Sequence, residues 1–372
     1  MSTPWRPSFT ITPLVAQRLM AIEAAKAVVE RTPLSVAAEA ELRQRARLRS
    51  AHYSTRIEGN RLTLEEAERA ITQARLIFSG RERDAREVRN YWQALLRVET
   101  WATQGQALTE DLIRRLHALV EYGPRAKPTP YRDGQNVIRD AATGAIVYLP
   151  PEAKDVPGLM QELAAWARQA EADGLPAPLI AGLVHYQFVT IHPYFDGNGR
   201  TARLLATFIL HRNGYGLNGF FSLEEYHAHD LPAYYRALVT HPHHNYYEGR
   251  AEADLTPWLV YFVDTLARVF KWAQEQALRL SQRPPQPEPE ALRQLDPRAR
   301  LVLGLFTRTD RITAADVARI LALSERSARN LVADWVQQGL LEIVDPSRRA
   351  RSYRLSAIYR QAIGSLSAMH EV

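Results

Sequence analysis

The segment from His192 to Arg203 reads HPYFDGNGRTAR and decides the fold of the chain. Apolar residues recur at intervals of three and four on both sides of it, which is typical of helices that bury one face. They are Leu179, Ile180, Leu183, Val184, Phe188 and Ile191 before the segment, and Leu204, Leu205, Phe208 and Ile209 after it. The segment is therefore predicted to form a tight loop between two packed helices.

The basic and glycine residues of this loop predict an anion site. Arg200 and Arg203 are expected in the first turn of the second helix, nearly on one face. Because the helix dipole already places positive potential there, two cations are favourable only if an anion lies among them. Gly197 and Gly199 let backbone N–H groups approach that anion closely, and Asn198 adds a side-chain donor.

Two further residues of the loop supply reactive groups. Asp196 offers a hard oxygen ligand suited to Mg²⁺ that is held partly by substrate phosphates. His192 has an ordinary pKa near neutrality and can take a proton from an attacking hydroxyl. Each residue alone has an ordinary structural explanation, such as a turn or a buried histidine. Their combination indicates phosphoryl or nucleotidyl transfer.

The loop resembles the signature of the Fic (filamentation induced by cyclic AMP) family, His-Pro-Phe-x-Asp-Gly-Asn-Gly-Arg-x-x-Arg, and departs from it only at Tyr194. The resemblance implies an Mg²⁺-dependent protein adenylyltransferase that moves AMP from ATP to a Ser, Thr or Tyr hydroxyl. His192 would deprotonate that hydroxyl, Asp196 would hold Mg²⁺, and Arg200 would bind the β-phosphate. The implied nucleotide contacts in the loop are Gly197, Asn198, Gly199, Arg200, Thr201 and Arg203. Related Doc kinases carry lysine where this chain has Gly199.

The resemblance continues on both sides of the loop. Tyr131–Pro151 alternates apolar and polar residues, which predicts a β-hairpin with strands at Gln135–Arg139 and Ile146–Leu149. It looks like the family's flap, which orders a target peptide by strand addition. The implied nucleotide-facing residues are Asn136, Val137, Ile138 and Arg139, and the implied adenine contacts are Tyr235, within Tyr234–Leu238, and Asn245.

A short motif upstream resembles the family's inhibitory pattern, Ser/Thr-x-x-x-Glu-Gly/Asn. It reads Ser54-Thr-Arg-Ile-Glu58-Gly59-Asn60 and places Ser54 and Glu58 four residues apart. If this helix docks on the loop, Glu58 can pair with Arg203 and occupy the charge that a γ-phosphate needs. The alternative is a helix end capped by Gly59.

Helical periodicity predicts a mostly α chain with four regions. They are an N-terminal helical region with the inhibitory helix (1–105), the Fic catalytic core (106–282), a proline-rich linker (283–295) and a C-terminal winged helix-turn-helix (296–372). The predicted helices of the first two regions are Pro13–Glu30, Ser35–Arg49, Thr63–Phe78, Asp84–Trp101, Glu110–Val120, Pro157–Gln169 and Leu255–Gln282. Four prolines in RPPQPEPE, from Arg283 to Glu290, favour an extended spacer.

The last region is predicted from three helices, Arg298–Thr307, Ala314–Leu321 and Ser324–Gln338, followed by a hairpin of Leu340–Val344 and Ser352–Leu355. Asp296 to Arg360 contains 12 arginines against 7 acidic residues, which favours nucleic-acid contact. Base contacts would come from Arg326, Arg329 and Asn330, and phosphate contacts from Arg348, Arg349 and Arg351. The alternatives are dimerisation, which would make the protein a homodimer, or docking of the target.

Composition and spacing bear on disulfides, thiol catalysis, membrane insertion and zinc binding. The chain has no cysteine, which excludes disulfides and thiol catalysis. Without a signal peptide or a long apolar run, we expect a cytoplasmic protein that does not enter a membrane. A zinc site is not assigned to the histidines 227, 229, 241, 243 and 244, because their spacing lacks the usual ligand geometry.

Several functional alternatives stay open. The chain could remove AMP instead of adding it, with Glu58 positioning water, or use UTP or a phosphocholine nucleotide as donor. It could modify itself as well as a target protein. It could also be a DNA-binding regulator whose core only senses nucleotide, although the intact His192 favours an enzyme, because a sensor needs no base.

Overall fold

The computed structural model describes residues 5–34, 36–73, 76–139, 143–282, 294–303, 305–306, 311–321, 323–347 and 351–360, with the backbone alone at 36, 37 and 40. The chain divides into two compact units. The first comprises residues 1–31 and 46–275, and the second comprises 32–45 and 276–372.

The predicted mostly α class is confirmed. The helices up to the end of the first unit are α1 (Pro13–Arg31), α2 (Val36–Ile57), α3 (Leu64–Thr72), α4 (Glu82–Thr103), α5 (Glu110–Tyr122), α6 (Val156–Ala172), α7 (Ala177–Ile191), α8 (Asn198–Arg212), α9 (Leu223–His229), α10 (Leu231–Leu238) and α11 (Thr256–Ser281). Side-chain caps begin several of them. Thr63 and Glu66 form a reciprocal capping box at α3, and Thr109 caps α5.

The centre of the first unit is the pair α7 and α8. Every residue of α7 except Val189 is buried, and α4, α5 and α6 pack around the pair. Gly182 permits the close approach of α11, because a Cβ at that position would meet the Phe262 ring at 2.8 Å. The Trp258 indole donates to the Gly182 carbonyl at 2.7 Å. This packing fixes the helix ends that carry the predicted loop.

Two predicted helix boundaries are wrong. The helix predicted to end at Arg49 continues as α2 to Ile57, so Ser54 is helical and Glu58 follows directly. The helix predicted to reach Phe78 ends at Thr72. There the Arg89 side chain donates to the carbonyl oxygens of Ala70, at 2.7 Å, and Leu76, at 3.1 Å. A long-range cap of this kind leaves no local sequence signal.

The predicted hairpin is present but shorter. Strand β1 (Ile138–Arg139) pairs antiparallel with β2 (Ile146–Tyr148), and residues 140–142 lie outside the described part. The segment after β2 joins a distant loop, since the Leu149 N–H donates to the His244 carbonyl at 2.7 Å. Within the described residues, no helix has the length and apolar character needed to cross a membrane.

The second unit contains α12 (Pro297–Leu303), α13 (Ala314–Ile320) and α14 (Glu325–Gln337). An antiparallel sheet in the order β3-β5-β4 accompanies them, formed by Ile312–Thr313, Ser352–Leu355 and Leu341–Asp345. Strand β3 was not predicted. The hydrophobic core of the second unit includes Val317, Val332, Trp335 and Tyr353. The linker at 283–293, Thr307, Arg348 and Arg349 lie outside the described residues, and the winged-helix assignment stays a prediction.

Candidate functional site

His192 ends α7 and turns the chain into the loop. It adopts a left-handed conformation, with φ 51 and ψ 59, while its N–H still donates to the Phe188 carbonyl at 3.0 Å. Its Nδ1 lies 3.2 Å from the Val189 carbonyl oxygen, and only a protonated Nδ1 can bond to a carbonyl. The Nε2 atom therefore carries the lone pair. Burial lowers the pKa of His192 to about 4, so the ring is neutral at pH 7.

The backbone at His192 is held by Arg132, a residue that sequence reasoning missed. The Arg132 Nε donates to the His192 carbonyl at 3.0 Å, and the Arg132 N–H donates to the Pro193 carbonyl at 2.9 Å. Arg132 is 4% exposed, and burial lowers its pKa. It precedes the hairpin, so the flap segment and the loop are joined at this point.

Asn198 fastens the loop internally. Its Oδ1 accepts from the Tyr194 N–H at 3.0 Å, and its Nδ2 donates to the Tyr194 carbonyl at 2.7 Å. The Asn136 side chain donates to the same carbonyl at 3.1 Å. Asn198 is 2% exposed, so its observed bonds are structural. Its predicted contact with phosphate stays a prediction.

Tyr194, where the chain departs from the signature, packs against a histidine. Its ring stacks on His117 with centroids 3.5 Å apart, and His117 Nε2 lies 2.9 Å from the Asp196 carbonyl oxygen. Burial lowers the pKa of His117 to about 4. The Tyr194 hydroxyl is buried and has no hydrogen-bond partner among the described residues. The aromatic ring is therefore needed for packing, and the hydroxyl is not.

Asp196 presents its carboxylate at the surface of the loop, with the side chain 57% exposed. One oxygen accepts from the Gly197 N–H at 2.7 Å and from Arg200 at 3.2 Å, and the other lies 3.0 Å from Arg83. An exposed carboxylate beside a helix N-terminus fits Mg²⁺ that is bound mainly by phosphates. Arg83 would have to leave that oxygen for the ion to bind.

Arg200 is enclosed by carboxylates and is 2% exposed. It lies 2.8 Å from Glu121, 3.2 Å from Asp196 and 3.8 Å from Glu87. Burial raises the pKa of Glu121. The Arg200 charge opposes this rise, and the Asp196 and Glu87 charges add to it. Glu87 and Glu121 come from α4 and α5, and their side chains are only 13% and 16% exposed. A charged residue next to the buried positions of each helix is the sequence signal that could have indicated them.

Arg203 is buried to 1% exposure and lies in the second turn of α8, one turn later than predicted. Its Nε donates to the Ser54 hydroxyl at 2.8 Å. Its Nη2 donates both to the Ser54 carbonyl and to Glu58, each at 2.8 Å. Burial opposes its charged form, but Glu58 and nearby tyrosines outweigh burial and raise the pKa of Arg203. The predicted pairing of Glu58 with Arg203 is thus seen in the structure.

The helix N-terminus beside this pair contains two glycines. Gly197, with φ +75, precedes α8, and Gly199 and Thr201 lie in its first turn. A Cβ on Gly199 would overlap the Glu58 carboxylate. Thr201 is fully buried, and its N–H donates to the Gly197 carbonyl at 2.9 Å. Glu58 therefore occupies the volume that an anion would take at this terminus.

The predicted adenine side is partly exposed. Tyr235 is 47% exposed and its hydroxyl lies 3.4 Å from the Ile57 carbonyl, whereas Tyr234 is buried and bonds to His185 Nε2 at 3.0 Å. Asn245 caps the next turn by accepting from the Tyr247 N–H at 3.1 Å. In the flap, Val137 and Ile138 are half-buried, and Arg139 is exposed and donates to the Gly144 carbonyl at 3.0 Å.

The histidines outside the loop do not converge. His227 is buried and bonds to the Tyr261 hydroxyl at 2.9 Å, and His229 is exposed. His241 and His243 stack on each other at 5.3 Å in a separate loop. Across the described ranges, no three His, Cys, Asp or Glu side chains are grouped as a metal site would require.

Part of the chain, including the loop from His192 to Arg203, is similar to known proteins. Residues 107–210 match the Fic/DOC family. The protein adenylyltransferase Fic of Drosophila willistoni is 28% identical over 211 residues, which is 56% of this chain and 41% of that protein. The chain thus spans about two-fifths of the length of that relative.

Solved structures with the same fold include two bacterial proteins. A Fic family protein from Desulfovibrio desulfuricans has a TM-score of 0.60 at 24% identity, covering 95% of this chain and 99% of its own. A Fic domain-containing signalling protein from Bacteroides thetaiotaomicron has a TM-score of 0.60 at 24% identity, covering 72% of this chain and 97% of its own.

Proposed function

We propose that this chain, whose residues 107–210 form a Fic/DOC family domain, transfers AMP from ATP to a hydroxyl group of a target protein. The observation that carries the proposal is a neutral imidazole beside a helix N-terminus that contains two glycines. His192 keeps Nε2 free of a proton, and α8 begins within the same loop with two buried arginines. These parts match what a hydroxyl nucleophile and a triphosphate require.

In this reaction the hydroxyl oxygen of the target attacks the α-phosphorus of ATP, and His192 Nε2 accepts the hydroxyl proton. The bond from the α-phosphorus to the bridging oxygen breaks, and pyrophosphate leaves. The N–H groups around Gly197 and Gly199 would receive phosphate oxygens once the Glu58 carboxylate, which lies over Gly199, has moved away. Mg²⁺ held by Asp196 would neutralise charge that develops on the phosphates.

The same proposal includes inhibition by Glu58. Its carboxylate lies over Gly199 and bonds to Arg203, so it competes with a phosphate for both the space and the cation. Because Arg203 is 1% exposed, it cannot turn to solvent to meet a second anion. Productive ATP binding therefore requires Glu58 to move away.

The test is mass spectrometry of the Glu58→Gly variant with Mg²⁺ and ATP, measuring a mass gain of AMP on itself and on lysate proteins. The variant should be modified faster than wild type, and adding His192→Ala should abolish the gain. A nucleotide panel with UTP in place of ATP separates alternative donors. Incubation with a target that already carries AMP separates removal from transfer. No adduct in the Glu58→Gly variant with any nucleotide would remove the enzymatic proposal.

For the second unit the proposed partner is duplex DNA. On α14, Ala328, Leu331 and Val332 face the core, whereas Arg326, Arg329 and Asn330 are exposed on the opposite side. Ser324 caps this helix by accepting from the Ser327 N–H at 3.1 Å. An exposed polar face at a helix start is the arrangement that reads base edges in a major groove.

The charges of this unit are partly compensated, which sharpens the test. Arg329 pairs with Glu325 at 3.0 Å and Arg354 with Glu342 at 2.8 Å, whereas Arg351 lies exposed beside β5. Gel shifts at increasing salt should give a steep loss of affinity, and Arg326→Ala with Arg351→Ala should weaken binding at least tenfold. Arg354→Ala is the matched control. No retardation of duplex DNA at low salt would refute this partner.

A further inference from the structure

A chain of buried polar groups leads from Arg203 to the carboxylate of Glu224. The Arg203 Nε donates to the Ser54 hydroxyl at 2.8 Å, and the Tyr91 hydroxyl is close to that hydroxyl. The Tyr91 hydroxyl donates to Glu224 Oε1 at 2.8 Å. Two hydroxyl groups thus lie between a buried cation and a buried carboxylate.

The carboxylate at the end of this chain is held almost entirely by hydroxyl groups. Glu224 is 2% exposed and accepts at Oε2 from Ser50 at 2.8 Å and from Ser222 at 3.1 Å. Burial, assisted by the Glu224 charge, raises the pKa of Tyr91, so the phenol keeps its proton and acts as donor. Leaving a carboxylate this deeply buried is costly unless every one of these donors is present.

Ser50 and Ser54 both belong to α2, and Glu58 comes directly after its last residue. Because the three residues are spaced by four, they lie on one side of the helix end. The Ser50 hydroxyl donates to the Glu224 carboxylate, and Ser54 and Glu58 both accept from the Arg203 guanidinium. The helix end is therefore tied to one negative and one positive buried charge.

We propose that Glu224 and Tyr91 are positioning residues that hold the end of α2, and with it Glu58, against the candidate site. The inference rests on the proposed inhibition by Glu58 and extends it to residues outside the resemblance motifs. Weakening the Tyr91–Glu224 contact loosens the last two turns of α2. Glu58 then leaves Arg203 more often, and AMP transfer rises even though Glu58 itself is unchanged.

The experiment compares Glu224→Gln with wild type and with Glu58→Gly. Glutamine keeps the shape of the side chain but lacks the charge, and it places a donor where hydroxyl donors converge. Since hydrogen bonds to a charged group are stronger than those to a neutral group, transfer should rise on the order of tenfold or more over wild type, up to the Glu58→Gly rate. The double variant should match Glu58→Gly within about twofold, because both changes release the same contact.

Hydrogen exchange supplies a readout that does not depend on activity. Amides from Ser50 to Ile57 should exchange on the order of tenfold faster in Glu224→Gln. Tyr91→Phe is a second, milder variant that removes only the phenol donor and should shift both readouts in the same direction. Glu171→Gln is the control, because the Glu171 carboxylate pairs with Arg212 at 3.0 Å and is not a partner in the Glu224 hydrogen bonds.

The outcomes separate the two levels of inference. If Glu58→Gly is active but Glu224→Gln stays at wild-type activity with unchanged exchange, the positioning role is overturned. A double variant far slower than Glu58→Gly would assign Glu224 to catalysis instead and also overturn it. If Glu58→Gly is inactive, the proposed function fails, and hydrogen exchange alone tests whether Glu224 and Tyr91 hold the end of α2. Faster exchange in Glu224→Gln then supports this positioning role, and unchanged exchange refutes it.

Discussion

A methyl group on the α-carbon of Gly199 would overlap the Glu58 carboxylate, which lies directly over that residue at the start of α8. The two residues are far apart in sequence, yet the Glu58 carboxylate fills the space that a side chain at position 199 would occupy. In the proposed function, a phosphate oxygen that approaches the same N–H groups needs this space too. The glycine would then serve the nucleotide as well as the contact with Glu58.

Gly199→Ala, made in the Glu58→Gly background, should weaken ATP binding at least tenfold by calorimetry. The added Cβ lies where a phosphate must approach, and its backbone needs no unusual φ, so the loss comes from space alone. Gly158→Ala is the matched control, because a Cβ at that helical position meets nothing within 4 Å. ATP affinities that agree between Gly199→Ala and the background would show that phosphate does not bind here.

Tyr194→Phe should leave AMP transfer unchanged and should raise the free energy of unfolding slightly, by no more than about 1 kcal/mol. That hydroxyl has no partner within the described ranges, so removing it removes a desolvation cost. Tyr91→Phe is the comparison, since its hydroxyl donates to Glu224 at 2.8 Å. It should lose about 1–3 kcal/mol in urea unfolding. Equal losses in both variants would contradict this account.

The loop from His192 to Arg203 could be predicted from sequence because its parts are contiguous. A short turn between two helices converts spacing along the chain directly into spacing in the site. Ser54 and Glu58 could be predicted for a related reason, since one short motif carries both. What spacing did not give was the direction of the side chains, as in Asn198, which bonds to the loop rather than outward.

The surroundings of the two arginines could not be predicted in this way. Glu87 and Glu121 reach Arg200 from separate helices, and Glu224 accepts from the hydroxyl groups of Ser50 and Tyr91. The spacing within α4 gives Glu87 a partner in Arg83, but it does not indicate Arg200. Their pairing depends on tertiary packing, which places buried charges together from distant parts of the chain.

The kcat/KM for AMP transfer by Glu58→Gly should stay level from pH 8 to about pH 5 and fall only below it. This parameter reports the free enzyme, in which burial lowers the pKa of His192 to about 4. Glu58 acts in the opposite direction and raises that pKa, so its removal cannot move the fall to higher pH. A fall centred near the ordinary value of 6.5 would mean that the ring is solvated or is not the base.

His227→Gln should make the first unit less sensitive to acid. Burial lowers the pKa of His227 from 6.5 to about 3, so between these values the unfolded chain binds a proton that the folded chain does not. The stability that depends on the neutral ring is complete above about pH 6.5 and is lost as the pH falls toward 3. The loss is about 1.4 kcal/mol for each pH unit in this window.

Hydrogen exchange of the α7 amides measures the effect within one unit of the chain. Between pH 7 and pH 5, after correction for intrinsic rates, the loss of protection in His227→Gln should be smaller than in wild type by about 2 kcal/mol. His243→Gln is the control, because the His243 side chain is 62% exposed, whereas His227 is buried. If His227→Gln keeps the wild-type pH dependence, the ring is not held neutral by burial, and the packing of His227 against Tyr234 must be reconsidered.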